Sequence, residues 1–266
     1  MIKRLLLICV LISNISCARR LAMSPPAIYS QEWKDKDVIV LKSEMADFIH
    51  EKYLYKIRWL GLTVAEAEFE NLGLEEYDGI ECYHVAVRVR THKVLNYIFK
   101  VKDEFHSYIN SENFKPLAYI VRRREGGYRS ESKTIFDYEN NKLIYHSILD
   151  DSKKEMELKP DYYDFFSCFY KLRASDLNED LYSFKTVQRA KVWQVDIGVI
   201  KKGVLELRGH GTPDVVLVNI KAVCGEERAR GEAWIWFSAN KGKVPLLGQF
   251  NVDIPVVGTI RMALES

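Results

Sequence analysis

Period-two alternation of apolar and polar side chains runs through most of the chain after residue 52. Tyr53, Tyr55, Ile57 and Trp59 fall on one face of a run that stops at Gly61, and a second run continues through Phe69. Across 82–90 the alternation is clean, with Tyr83, Val85, Val87 and Val89 on the face opposite Arg88 and Arg90. Further strands are expected at 99–109, 117–124, 130–138 and 142–147. The last two are joined by Glu139-Asn140-Asn141, which suits a hairpin because Asn tolerates positive φ. Strands resume at 183–187, 191–200, 204–207, 215–223, 230–237, 243–250 and 259–264.

One segment breaks this period. After Pro160, Asp161 stands at the expected helix N-cap with Asp164 three residues on, near the positive end of the helix dipole. At about 100° per residue, Phe165, Phe166, Cys168, Phe169 and Leu172 share one side, and Asp164, Ser167 and Lys171 the other. That is the pattern of a helix lying on a sheet. The expected fold is therefore mainly β, a large curved antiparallel sheet forming a barrel or half-barrel, with one helix packed against it. Such a sheet encloses either packed side chains or a cavity.

The first residues follow a different logic. Lys3 and Arg4 precede an unbroken apolar stretch, Leu5 to Ile12, of the length an export signal needs and shorter than the roughly 20 apolar residues of a membrane span. Ile15-Ser16-Cys17 then resembles the lipobox of bacterial lipoproteins, in which the cysteine is lipidated and becomes the first mature residue. Asn14 stands where such boxes carry Leu, so plain cleavage near Ser16 to Ala18 is the alternative. Residues 1–17 are read as the signal, with Cys17 as the lipid attachment point, and 18–42, containing Ser24-Pro25-Pro26, as a tether. Residues 43–266 are read as a single β-rich domain, opened by a short helix at 43–51.

Charge narrows the partners. Residues 1–17 hold Lys3, Arg4 and no acid, so their removal takes the formal charge from +2 to zero. A nucleic-acid partner is not expected, since that calls for a basic patch and a domain pI above about 9. Arg122-Arg123-Arg124 is read as a solvated strand face, with Arg123 opposite the other two. Cys82, Cys168 and Cys224 lack the spacing of a zinc site, and nothing in the spacing selects a disulfide pair.

Catalytic and metal-binding patterns are weak. His50, His84, His92, His106, His146 and His210 form no metal-ligand motif, so no metal or cofactor is expected. The string from Arg208 to Asp214 brackets His210 with glycines beside an acid, which fits a glycine-rich turn better than part of a Ser-His-Asp site. Asp164, Ser167 and Lys171 are read as helix-terminal and solvated groups rather than a site. Trp59, Trp234 and Trp236 are the residues expected to line an apolar pocket if one exists.

From Tyr53 to the C-terminus the chain resembles the uncharacterised exported bacterial family of domain-of-unknown-function thirty-one-oh-eight. The cues are Trp59-Leu60-Gly61, Phe105-His106-Ser107-Tyr108-Ile109 with Lys115-Pro116, and Ile135-Phe136-Asp137. They continue with Asp164, Ser167, Tyr170 and Arg173 at three-residue spacing, then Trp236-Phe237-Ser238-Ala239-Asn240 with Pro245, and Gly258-Thr259-Ile260. Asn240 departs from the acidic residue usual there. The resemblance implies an envelope location and a curved sheet with a helix against it, similar to that of the LolA and LolB lipoprotein carriers. The expectation is a non-enzymatic envelope protein, held to the membrane by its N-terminal lipid, that binds a lipid, lipoprotein or other amphipathic component. The alternatives are a structural protein with a filled barrel core and, third, an envelope-polymer hydrolase; oligomeric state is not legible.

Overall fold

Alternating side chains produce strands that offer a face to a core, and here all seventeen described strands join one sheet. The computed structural model describes residues 33–207, 210–225, 227–228, 231–252 and 258–265. The expected signal 1–17 with Cys17, residues 18–32 of the expected tether, and Arg208 with Gly209 lie outside the described residues. A short strand, β1 (Trp33–Asp35), and a 3-10 turn at Met45–Phe48 precede an antiparallel meander. It comprises β2 (Lys52–Trp59), β3 (Leu62–Tyr77), β4 (Ile80–Thr91), β5 (Lys102–Asn110), β6 (Pro116–Glu125), β7 (Tyr128–Asp137), β8 (Lys142–Ser147) and β9 (Ser152–Glu157). Next come β10 (Tyr162–Tyr163) and the helix α1 (Phe165–Ala174). The second run is β11 (Leu181–Gln188), β12 (Lys191–Leu205), β13 (Asp214–Cys224), β14 (Glu227–Arg228), β15 (Gly231–Ser238), β16 (Pro245–Val252) and β17 (Gly258–Leu264).

β17 pairs antiparallel with β2, Ile260 opposite Trp59, so the two runs make one seventeen-stranded sheet. β9 forms one edge, and its Lys153, Lys154, Glu155 and Glu157 are exposed charges that discourage pairing with another chain. At the other edge β10 adds parallel to β11, and β1 lies beside the far half of β12. The two edges do not pair among the described residues, so the sheet is a half-barrel. Gly203 permits the β1 contact: a Cβ there would strike the Lys34 carbonyl and the Trp33 ring.

The helix lies on the concave face. Phe166 and Tyr170 belong to the core formed with β2 to β6, and Leu172 to the core formed with β12, β13 and β15. β13 and β15 are buried on both faces. Val216, Val218, Ile235 and Phe237 face the helix side, whereas Val215, Leu217, Trp234 and Trp236 join Leu205, Leu207 and Leu247 in a separate cluster. Two-sided burial explains why Val215 to Val218 and Trp234 to Phe237 are unbroken apolar runs rather than alternating ones.

Several local expectations change. The break expected between 200 and 204 is a β-bulge within one long strand, at Val199 to Lys201. β9 carries no alternation because Met156 is its single residue that packs against the core. Asp164, not Asp161, caps α1: its Oδ1 accepts from the Phe166 and Ser167 N–H groups at 2.7 and 3.1 Å. Asp161 instead meets Lys185 at 2.6 Å. The expected polar side of the helix divides, since Asp164 and Ser167 are buried and only Lys171 is exposed, while Phe165 is 46% exposed. Residues 33–42, expected within the tether, lie on the body, with Val38 and Val40 buried.

Candidate functional site

Aromatic side chains fill the middle of the concave face. The Phe166 ring lies 6.0 Å from Phe69, 6.3 Å from Phe105 and 6.1 Å from Tyr119, and Phe169 lies 5.7 Å from Phe237. Buried charge sits on both sides of this filled zone. At the helix C-terminus Arg173 makes a two-pronged ion pair with Glu51 at 2.6 and 2.7 Å, and Tyr170 donates its hydroxyl to the same carboxylate at 2.6 Å. Beside it the Lys243 ammonium donates to the Leu41 carbonyl and the Ser43 hydroxyl. Burial and the adjacent guanidinium pull that lysine down to about 8.

On the other side Asp103, Arg123 and Glu125 are buried. Burial pushes Glu125 up to about 7, helped by the neighbouring Asp103 charge, and burial also raises Asp103. Two carboxyls this close favour a state in which one is neutral. Arg123 is thus part of the interior, correcting the reading of that run as a solvated face. The alternation itself is as expected, with Arg122 reaching Glu131 at 2.8 Å on the outer face and Arg124 exposed.

Antiparallel connections alternate between the two ends of a sheet, which sorts the turns. The β2–β3, β4–β5, β6–β7, β8–β9 and β11–β12 connections share one end. Their tips present Leu60, Leu62, Tyr97, Ile98 and Leu149 at 76, 69, 95, 65 and 62% exposure. In the β2–β3 hairpin both turn residues are left-handed, Leu60 at φ 48° and Gly61 at φ 81°. Glycine does this freely, but a leucine there is strained by roughly 1–2 kcal/mol. The comparable β3–β4 turn uses Asp78-Gly79, the ordinary composition for the conformation. A strained, exposed leucine at a hairpin tip is a feature that packing does not explain.

Charge is sorted by end more sharply than apolar exposure, since Ile80 and Leu181 stand exposed at the opposite end at 41 and 56%. The apolar-tipped end carries exposed Arg58, Arg90, Lys93, Lys100, Arg124 and Arg129, facing the exposed acids Asp150 and Asp151. The opposite end carries exposed Glu44, Glu76, Asp78, Glu81, Glu112, Glu139, Glu179 and Asp180, against Lys42, Lys142, Lys159 and Lys241. A chain of near-zero net charge is therefore strongly polarised along its strands. An open groove of about 650 Å³, lined by Asp35, Lys36, Asp37, Val38, Ile39 and Lys202, lies outside the apolar-tipped end.

The three predicted tryptophans are not brought together. Trp59 ends β2 beside Leu60 and is partly buried against the helix-side core. Trp234 and Trp236 are 2% exposed and lie in the cluster on the opposite face. His210 and Asp214 have different partners: the histidine Nε2 lies 3.3 Å from the Leu264 carbonyl, and Asp214 accepts from Lys36 at 2.8 Å. The histidines His84 and His106 form a pair on the outer face with Nε2 and Nδ1 2.9 Å apart. His84 also approaches Glu75 at 3.2 Å, and burial, with His84 alongside, draws His106 down to about 4. Cys82 and Cys168 are buried, and burial raises both thiols, which opposes a nucleophilic role. Sequence reasoning missed the Asp103–Glu125 pair and Lys243; the signal available for the tips was an apolar residue beside glycine in a two-residue turn.

A family model described as protein of unknown function (DUF3108) matches residues 54–265. No curated protein matches the chain. Among solved structures, the beta-barrel-like protein of domain of unknown function DUF1849 from Brucella abortus is 8% identical with a TM-score of 0.58, over 82% of this chain and 97% of that one. That likeness establishes a common fold. A provisionally assigned lipoprotein from Parabacteroides distasonis is 14% identical with a TM-score of 0.33, over 87% and 99% of the two chains. A provisionally assigned exported protein with a YmcC-like fold from Bacteroides fragilis is 9% identical with a TM-score of 0.29, over 86% and 98%.

Proposed function

The chain belongs to the DUF3108 family, and we propose that it is a non-enzymatic cell-envelope protein that binds an amphipathic envelope component, a lipid, lipoprotein or glycolipid, without changing it. In this reading the N-terminal signal exports the chain and Cys17 carries the lipid that holds it at the membrane. The observation that carries the binding role is the end of the half-barrel where Leu60, Leu62, Tyr97 and Ile98 stand exposed among cationic side chains. Clustered exposed apolar tips have a cost in water that contact with an apolar partner removes. Trp59, next to that turn, is the tryptophan assigned to ligand contact, while Trp234 and Trp236 are assigned to packing.

A second reading has its own support. The concave face is filled by Phe166, Phe169 and Tyr170 rather than hollow, which suits a structural or interaction protein docking through its surface. Native mass spectrometry of protein purified gently from an envelope fraction, compared with a denatured aliquot, separates the two. A reproducible extra mass lost on denaturation supports amphiphile binding. A bare mass, with no uptake of offered lipids, removes that reading in favour of the interaction protein.

A further inference from the structure

We propose that the basic, apolar-tipped end of the half-barrel is a docking surface for an anionic lipid bilayer. This rests on the reading that the same end meets amphipathic envelope components, and it narrows the partner to a membrane surface of negative charge. The first support is where charge is and is not neutralised. In the middle of the outer face Arg88 is held by Glu68 and Glu70 at 2.8 and 2.9 Å, and Arg122 by Glu131 at 2.8 Å. At the end of the sheet Arg58, Arg90, Lys93, Lys100 and Arg124 form no ion pair among the described residues. Cations that the protein leaves without an internal counter-charge, grouped at one end, are available to an external anion.

The second support is distance. β4 has twelve residues, which at about 3.3 Å per residue separates the two ends by roughly 40 Å. The screening length in physiological salt is about 8 Å, so the acidic end does not offset the basic one at a surface. Near-zero net charge therefore conceals a locally attractive face.

The third support is shape. The exposed apolar residues project from separate connections, Leu60 and Leu62 from the β2–β3 hairpin, Tyr97 and Ile98 from the segment before β5. Projecting points suit insertion among the headgroups of a fluid interface, where a tyrosine is at home. A folded protein partner would need hollows matching each tip.

Flotation of the full chain carrying Cys17→Ser, so that no attached lipid contributes, tests this with phosphatidylethanolamine–phosphatidylglycerol vesicles against phosphatidylcholine vesicles. The expected result is stronger binding to the anionic vesicles that weakens as salt rises. The apolar stretch at residues 5–12 is flanked by Lys3, Arg4, Arg19 and Arg20, whose own attraction to anionic vesicles is the same in every variant of the body, so the share of the half-barrel end is read from the variants that follow. A Lys or Arg near an anionic surface contributes about fivefold in affinity. Lys93→Gln with Lys100→Gln is thus expected to lower the salt-sensitive binding about 25-fold, with an unchanged melting temperature. Glu112→Gln with Glu139→Gln, at the opposite end, is expected to leave binding unchanged. Equal, salt-insensitive binding to both vesicle types overturns this inference while leaving the amphiphile reading intact. Binding to neither, in a chain that also shows no ligand mass, overturns both, and loss of binding in the control variant places the attraction elsewhere.

Discussion

Replacing Glu51 with Gln tests how the helix is fixed to the sheet. The carboxylate receives two guanidinium nitrogens of Arg173 at 2.6 and 2.7 Å and the Tyr170 hydroxyl at 2.6 Å. Arg173 is fully buried, donates also to the Gly242 and Lys243 carbonyls, and stacks 4.6 Å from the Phe48 ring. Glutamine keeps one acceptor but removes the charge, leaving Arg173 and Lys243 as adjacent buried cations. Breaking a buried pair by removing one partner costs about 3–5 kcal/mol. For a domain of this size that is a fall of roughly 6–20 °C in Tm, measured by thermal circular dichroism and checked by urea unfolding. The double variant Glu51→Leu with Arg173→Met removes both charges and is expected to lose less than the single variant, because no ion is stranded. A shift below about 2 °C, or a double variant worse than the single, would refute the claim that this charge pair locks the helix C-terminus to the β15–β16 turn.

Other consequences follow from the same interior. Glu125 has a folded-state value of about 7, above the ordinary carboxyl value of 4.5, so its contribution to stability is full below about 4.5 and is lost as pH rises through 7. Glu125→Gln should abolish that loss and be more stable than the parent at pH 8 by about 3 kcal/mol, and identical pH profiles in urea unfolding would rule the effect out. Phe166→Ala should cost about 3–5 kcal/mol, since the ring sits among Phe69, Phe105 and Tyr119; a loss under 1 kcal/mol in urea unfolding would mean the concavity is not filled as described. Trp59→Ala is expected to weaken lipid retention with little change in Tm, whereas Trp236→Ala should lower Tm by a core-residue amount and leave retention alone; the reverse pattern would move the ligand contact to the other face.

Much of the fold was legible because burial on one face writes a period of two. Tyr83, Val85, Val87 and Val89 were placed on the core face, and their strand forms with Val89 opposite Asp103 on one side and Ala67 on the other. What failed to register was governed by context. β9 turns only Met156 toward the core and hence has no pattern, and Ile200 is an extra residue in a bulge that reads as a gap. Helix periodicity expects one wet side, but a sheet that curls around α1 buries Asp164 and Ser167 as well. The end-to-end charge separation was hidden for a topological reason. Lys93 and Arg129 are 36 residues apart in sequence, and only the parity of the intervening hairpins brings their turns to one end. Arg123 illustrates the same limit: alternation gave its side of the strand, but not that this side was interior.

Hydrogen exchange of the protein with and without vesicles of envelope lipid tests most directly the claim that one end of the half-barrel takes up amphipathic material. The account predicts protection confined to the tips around Leu60 to Leu62 and Lys93 to Lys100, with Trp234 to Phe237 and the acidic turns unchanged. Protection centred on the Trp234–Trp236 face, or none at either place, would contradict it.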